Sequence, residues 1–433
     1  MRILVEPGCF DCLNMGDVAM LQVTVDRLRE LWPEARIQVS TEVPECLQVY
    51  CPKVEPLDAL GRHIWFQNGC LCSPLHKLLP EPLTLPLLDL EREARRRYRL
   101  QVETLLRLKK RLLRQDYALL GSFLRAVSAA DLIVVSGQGS INDIFHDHAL
   151  NVLDVLGMGI HRGAFTALFG QGLGPLGNPR LRARVKQILP DVSMLALRES
   201  RAALPLLDSL DIDPSAVEVT GDDAIELAYN ERPNELGNAI GVNLRVSSYS
   251  HIDDNEVEKV GSVLRRVATK LGAPMVSVPI AIDNEISDLK TGQRLLHGGE
   301  QSDELETSLN TPLQVINRIG ECRTVVAGSY HAAVFAMAQG IPTVCLANSE
   351  YYIDKFMGLA EQFGTGCKVI VDDGQLSVTL ESALEDAWRL AADTRSRLLQ
   401  AADRQIEASR AAYYKLYEQV SSGVNKRYSD RAH

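Results

Sequence analysis

Along this chain, short unbroken apolar runs alternate with longer segments whose apolar positions recur every three or four residues. The short runs read as strands buried on both faces, and the longer segments read as helices with one apolar stripe. The pattern predicts strands at 2–6, 36–40, 131–135, 163–168, 193–197 and 217–220. Helices are predicted between them at 16–31, 119–129, 178–189 and 201–210. A polar stretch, YNERPNELGN at 229–238, then interrupts the alternation. It resumes with strands at 239–245, 274–279, 324–327, 343–346 and 368–371, and helices at 253–271, 312–320, 332–339 and 351–363. Strand–helix–strand alternation is the mark of a doubly wound α/β domain with a parallel sheet. The expected organisation is therefore an N-terminal Rossmann-like domain over 1–230 and a C-terminal one over 239–375. A helical tail, 376–433, follows and is long enough to pack back across both. Residues 42–90 carry many prolines and no clean period. With the helical stripe at 89–115 they form an expected helical insertion at about 55–115. The 282–301 stretch reads as a polar loop.

The sharpest local signal is AGSYHAAVFAMAQGIPTVCL at 327–346. An apolar strand is broken by Gly328 and Ser329, a helix of small residues follows, and Gly340 and Pro342 end it. Tyr330 and His331 then sit at a helix start, where free N–H groups and the positive dipole end suit phosphate or carboxylate. A histidine there can exchange a proton near neutral pH. A capped helix with a packed histidine satisfies the same residues.

The other expected strand ends carry polar or glycine-rich loops as well: Asn14-Met15-Gly16-Asp17, the 136–143 loop with Gly137, Gly139 and Asp143, Gly170 to Pro175 with Gly172, Arg198-Glu199, and Gly221-Asp222. Glycine after a strand lets a backbone approach a ligand closely. No single loop is a phosphate-binding signature, but all fall on one edge, which favours a shared cleft. Asp17 and Asp222 are as readily explained as helix caps, and Arg198-Glu199 as a helix-start ion pair.

Composition narrows the classes. The 433 residues carry a net charge of −10, from 46 basic and 56 acidic side chains, which argues against general nucleic-acid affinity. No run approaches a membrane span, and the charged start Met1 to Glu6 reads as a strand rather than a signal peptide. Nine scattered cysteines read as reduced thiols of a cytoplasmic protein. Cys9-x-x-Cys12 and Cys70-x-Cys72 lack a matched second pair, so no metal is expected. The 89–115 helix is dense in Arg and Lys on one face. That face is either solvated or a patch for anionic lipid headgroups or a pyrophosphate-linked acceptor.

Taken in order, Asn14-x-Gly16-Asp17-x-Ala19, the glycine loop at 137–139, Gly170-Gln171-Gly172-x-Gly174-Pro175, Arg198-Glu199, Gly221-Asp222-x-Ala224 and His331-Ala332…Gly340-x-Pro342 resemble the polysaccharide pyruvyl transferase family. The resemblance implies two Rossmann-like domains facing across a cleft, as in the glycosyltransferase B architecture. It implies transfer of a pyruvyl group from phosphoenolpyruvate, as donor substrate without a further cofactor, onto two hydroxyls of a surface-glycan sugar or its lipid-linked precursor. The partners it implies are phosphoenolpyruvate and a saccharide or lipid-linked saccharide acceptor, and the basic face of the 89–115 helix adds an expected peripheral contact with the inner membrane surface. One position departs from the family pattern: where many members have Ser-Arg-x-His, this chain has Gly328-Ser329-Tyr330-His331. Serine does not replace a bidentate cationic contact, so the anion must be met by Arg198, Arg245 or, at a strand start, Arg323. His331 is then the expected general acid or phosphate contact, and Asp17 or Asp143 the base or acceptor-orienting group. Asn14, Gly16, Gly137, Gly139, Gly172, Gly328, Ser329, Tyr330 and Lys355 complete the expected binding surface. Two alternatives share these residues. One is a nucleotide-sugar glycosyltransferase of the same architecture, with Glu350 as its ribose carboxylate. The other is a non-catalytic glycan-synthesis binding protein.

Overall fold

In a computed structural model, residues 1–66, 80–114, 116–247, 250, 252–282, 287–297, 310–372 and 374–429 are described. The first sheet holds seven parallel strands, β1 (Arg2–Glu6), β2 (Arg36–Thr41), β3 (Glu55–Asp58), β4 (Leu132–Val135), β5 (Phe165–Gln171), β6 (Met194–Leu197) and β7 (Val217–Val219). Their spatial order is β3-β2-β1-β4-β5-β6-β7. The second sheet holds β8 (Ala239–Asn243), β9 (Met275–Ser277), β10 (Cys322–Ala327), β11 (Thr343–Ala347) and β12 (Cys367–Val371), in the order β12-β11-β10-β8-β9. The runs Ile3 to Val5 and Leu132 to Val135 are buried on both faces, as helix-covered parallel strands must be.

Strand order decides where a ligand can sit. In the first sheet the chain winds outward from β1 to β3, then returns to β4 beside β1 and winds the other way. In the second it passes from β8 to β9, then starts again at β10 on the other side of β8. Each reversal opens a crevice at the carboxyl ends of two neighbouring strands. The two crevices face each other. The loop after β1 is stitched to the second half by Met15 N–H donating to Ile280 O at 2.8 Å and Ile282 N–H donating to Leu13 O at 3.0 Å.

The helix Leu376–Ser429 spans 54 residues, about 80 Å at the usual rise, and straps the two halves together. Leu380 and Leu384 join the core beneath β8, Leu398 and Ala402 join the core on the opposite face of that sheet, and Tyr413 and Leu416 join the core of the first sheet. Tyr413 stacks on Phe169 with ring centroids 3.5 Å apart. Its hydroxyl donates to Asp223 Oδ2 at 2.9 Å, and Ser409 Oγ donates to Asp223 Oδ1 at 2.6 Å.

Three expectations need correction. The stretch expected as a helical insertion begins as the edge strand β3. Its long basic helix is two helices, Glu81–Arg97 and Arg99–Leu112, broken at Tyr98. The polar loop expected at 282–301 contains the helix Asp288–His297, amphipathic enough to bury Leu295 while exposing its basic end. The helix His146–His161 went unrecognised because it follows directly on a polar, glycine-bearing loop. Cys70 and Cys72 lie outside the described residues.

Tyr413→Phe keeps the stack on Phe169 but leaves the buried Asp223 carboxylate short of a donor. A loss of about 1–3 kcal/mol in unfolding free energy is expected, read by urea denaturation.

Candidate active site

The two crevices enclose a cavity of about 330 Å³. The first sheet contributes Asn14 and Asp17 after β1, Gln138 and Gly139 after β4, and Arg198 after β6. The second contributes Arg245 after β8, Ser329 to His331 after β10, and Tyr351 and Lys355 from the helix Glu350–Phe363.

Behind the lining, against Arg198 and His331, is a buried carboxylate from the turn after β7. Asp222 Oδ2 stands 3.7 Å from Arg198 Nη1 and 3.5 Å from His331 Nε2. Its other oxygen accepts from the Ala224 backbone N–H at 2.9 Å. Burial alone would raise this carboxyl, but His331, Arg198 and the Ala224 N–H outweigh it and hold it below its usual range. Arg198 and His331 come from opposite halves, so Asp222 joins the halves as well as the charges. The Arg198 guanidinium also lies 4.1 Å over the Tyr330 ring, and burial pushes the Tyr330 phenol up, keeping it neutral.

Glycine makes this packing possible. A Cβ on Gly16 would land 2.0 Å from the His331 ring. One on Gly139 would meet Arg198 Nη2 at 2.5 Å and Lys355 Nζ at 2.7 Å, and one on Gly172 would meet Arg198 Nε at 2.9 Å. These three are therefore seats for His331, Arg198 and Lys355. Gly137 lets Met20 pack against the loop after β4, and Gly328 lets the turn after β10 lie on Leu244 while its N–H donates to Asn243 O at 2.8 Å.

Arg245 lies beside the position where the family pattern has arginine. Its Nη2 donates to Ser329 Oγ at 3.3 Å, so a guanidinium from β8 lies against the side chain standing in the arginine position. Asp288 fixes it with two bonds, Nε to Oδ1 at 2.7 Å and Nη2 to Oδ2 at 3.1 Å. Asp288 is itself satisfied by the Ile280 N–H and the Asn243 amide. Arg323 is elsewhere: its Nε donates to Trp388 O and its guanidinium lies over the Trp388 ring.

The remaining charges are poised rather than paired. Burial raises the Asp17 carboxyl against the pull of His331, Arg198 and Lys355. Burial, then Arg198, drives the Lys355 ammonium well below its usual value, while Asp17 pulls the other way. Lys355 Nζ donates to Tyr351 Oη, and Tyr351 Oη donates to Gly139 O at 3.0 Å. A raised carboxyl and a lowered ammonium thus share one cavity.

Asn14 caps the helix Met15–Leu31, accepting from Gly16 N–H at 3.0 Å and Asp17 N–H at 3.4 Å. Asp143 does not reach the cavity. Its carboxylate accepts from the Gly177 and Asn178 N–H groups and fastens the loop after β5. Sequence reasoning passed over Asp222 as a cap, although its place after Gly221 marked it. It also missed His148, for which the sequence carries no signal. His148 lines the cavity 3.0 Å from Gln138 Oε1, and burial, with Arg62 and His63 nearby, takes it down to about 3 and keeps it neutral. Burial pushes the Cys9 and Cys12 thiols up, Cys12 to about 12.

A family model described as polysaccharide pyruvyl transferase matches residues 14–350. No curated protein matches the sequence. Among solved structures, the chain resembles a Listeria monocytogenes protein described as a UDP-N-acetylglucosamine 2-epimerase, at 11% identity and TM-score 0.56 over 99% of this chain and 97% of that one. It resembles S. aureus MnaA in its UDP co-structure at 13% identity and TM-score 0.53 over 99% and 97%. It resembles the UDP-GlcNAc 2-epimerase of Methanocaldococcus jannaschii at 12% identity and TM-score 0.52 over 96% and 100%. At these identities the likeness is one of fold, the glycosyltransferase B-like pair of Rossmann-like halves.

Because the folded value of Asp17 is raised, its ionised form costs stability above that value, and the cost disappears as pH falls below the ordinary carboxylate range. Asp17→Asn is therefore expected to melt higher than wild type at pH 7, with the advantage shrinking as pH falls. Melting curves across the acidic range check this.

Proposed function

This chain belongs to the polysaccharide pyruvyl transferase family and is a transferase, and from that premise we propose that its donor is phosphoenolpyruvate and its acceptor a pair of hydroxyls on a glycan sugar. The observation that carries the proposal is the set of basic side chains converging on one small cavity from both halves: Arg198, Arg245, Lys355 and His331, with Arg245 lying against Ser329. A donor bearing both a carboxylate and a phosphate needs such a set, and planar guanidinium groups match those oxygens.

In this reading Arg198 and Arg245 hold the two anionic groups, and the N–H groups at the start of the helix Tyr330–Ala338 complete the cradle. His331, held by Asp222, delivers a proton to the methylene carbon, leaving a cation at the adjacent carbon that carries the carboxylate and the phosphate ester. One sugar hydroxyl attacks that carbon and gives its proton to Asp17. The second hydroxyl then gives its proton to the now-neutral His331 and displaces phosphate, closing the cyclic ketal. Lys355 stabilises the departing phosphate and supplies its proton, which its lowered affinity allows. Glu350, the carboxylate a nucleotide-sugar reading would use for the ribose, is exposed and does not line the cavity.

The acceptor can be lipid-linked. The helix Arg99–Leu112 exposes Leu100, Leu105, Leu108 and Leu112 beside Lys109, Lys110 and Arg111, a face suited to anionic headgroups. Among the described residues, no helix is long and apolar enough to cross a membrane.

A melting-temperature rise with phosphoenolpyruvate that pyruvate and nucleotide sugars do not reproduce is expected. A response to a nucleotide sugar instead would overturn the donor assignment. His331→Ala should lower phosphate release from phosphoenolpyruvate by roughly 10²–10⁴-fold while the donor still raises the melting temperature. Release at the wild-type rate would remove His331 from the proton step.

A further inference from the structure

A second cavity, of about 700 Å³, lies in the first half, between the helices Glu81–Arg97, Arg99–Leu112, His146–His161 and Pro179–Ile188. It is separate from the donor cavity. On the helix His146–His161, His148 faces the donor cavity while Met158 and His161 line the second, about 15 Å further along the axis.

Its chemistry is one-sided. Among the described residues, seven arginines line it against two aspartates. Arg96 Nε and Arg184 Nη2 each lie 2.8 Å from Asp154 Oδ1, and Arg92 Nη1 lies 3.5 Å from Asp154 Oδ2. One carboxylate thus faces three guanidinium groups. Glu91 holds Arg95 from behind, the exposed Glu93 and Asp147 approach Arg96 and Arg92 at 3.5 and 3.8 Å, and Arg99 is turned toward Leu124 O and Ser128 Oγ. The buried Nε atoms of Arg95, Arg99 and Arg184 have no hydrogen-bond partner. Burial, and then neighbouring arginines, lower Arg92 and Arg99. Burial and Arg96 lower Arg184 even with Asp154 beside it. Seven arginines around a partly apolar cavity also lined by Trp65 and Phe66, with one buried carboxylate shared by three guanidinium groups, are a recognition surface for a multiply charged oxyanion.

We propose that this arginine cavity binds a phosphate or pyrophosphate group at a site distinct from the donor cavity. The group belongs either to a soluble phosphoanion or to a lipid headgroup, and the chemistry of recognition is the same. The proposal is independent of the donor assignment.

The test is calorimetric titration of the full chain with inorganic pyrophosphate, alongside flotation with phosphatidylcholine vesicles containing phosphatidic acid. Arg92→Ala/Arg96→Ala and Arg162→Glu are compared with wild type. Arg162 is an exposed rim residue, so its variant stays informative if the double variant misfolds. Pyrophosphate affinity is expected to fall by roughly tenfold or more in both variants. Vesicle capture that Arg162→Glu abolishes, without pyrophosphate binding, assigns the group to a lipid. Equal pyrophosphate affinity in wild type and Arg162→Glu, or neither pyrophosphate binding nor vesicle capture by wild type, overturns the site.

Discussion

The structure turns on one buried carboxylate. Asp222 sits between a guanidinium from the first half and an imidazole from the second, with no water-exposed surface to screen it. A buried charge that loses its partner costs about 3–5 kcal/mol, so the three groups hold one another in place. The position of Asp222 is prepared by its neighbours. Gly221 turns with φ of +83°, which a side chain would strain, and any Cβ there would meet Gln405 of the terminal helix at 2.4 Å. Asp223 is pinned by Tyr413 and Ser409 of the same helix. The long C-terminal strap thus fixes the turn that aims the central carboxylate, linking global packing to the site.

The site also explains a local departure from the family pattern. Charge absent from the turn after β10 is present on the adjoining strand end, because β8 and β10 are neighbours and their loops share one crevice. Arg245 reaches Ser329, and Asp288 holds it there with both oxygens. The carboxylate that positions it lies in a stretch that reads as loop by composition alone.

This difference shows what the chain made legible and what it concealed. Alternation of apolar runs and periodic helices set out both Rossmann-like halves, since each strand is buried on both faces and reads as a solid run. The loops holding Arg198, His331 and Asp17 were found because glycines beside charged residues mark strand ends. What required three dimensions was partnership. Asp143 and Asp222 look alike in sequence, each an aspartate in a polar loop after a strand. One fastens backbone N–H groups at the surface, and the other joins a guanidinium and an imidazole from opposite halves. His148 is a residue of an ordinary helix until folding sets it beside Gln138.

The most direct measurement is a double-mutant cycle on Asp222 and His331, read as phosphoenolpyruvate affinity by calorimetry and stability by urea denaturation. If Asp222 organises the site, Asp222→Asn alone weakens the donor and destabilises the fold. His331→Ala added to it then costs less than it does in wild type, because the partnership is already gone. Strictly additive effects, or an Asp222→Asn protein that binds the donor as wild type does, would contradict the account.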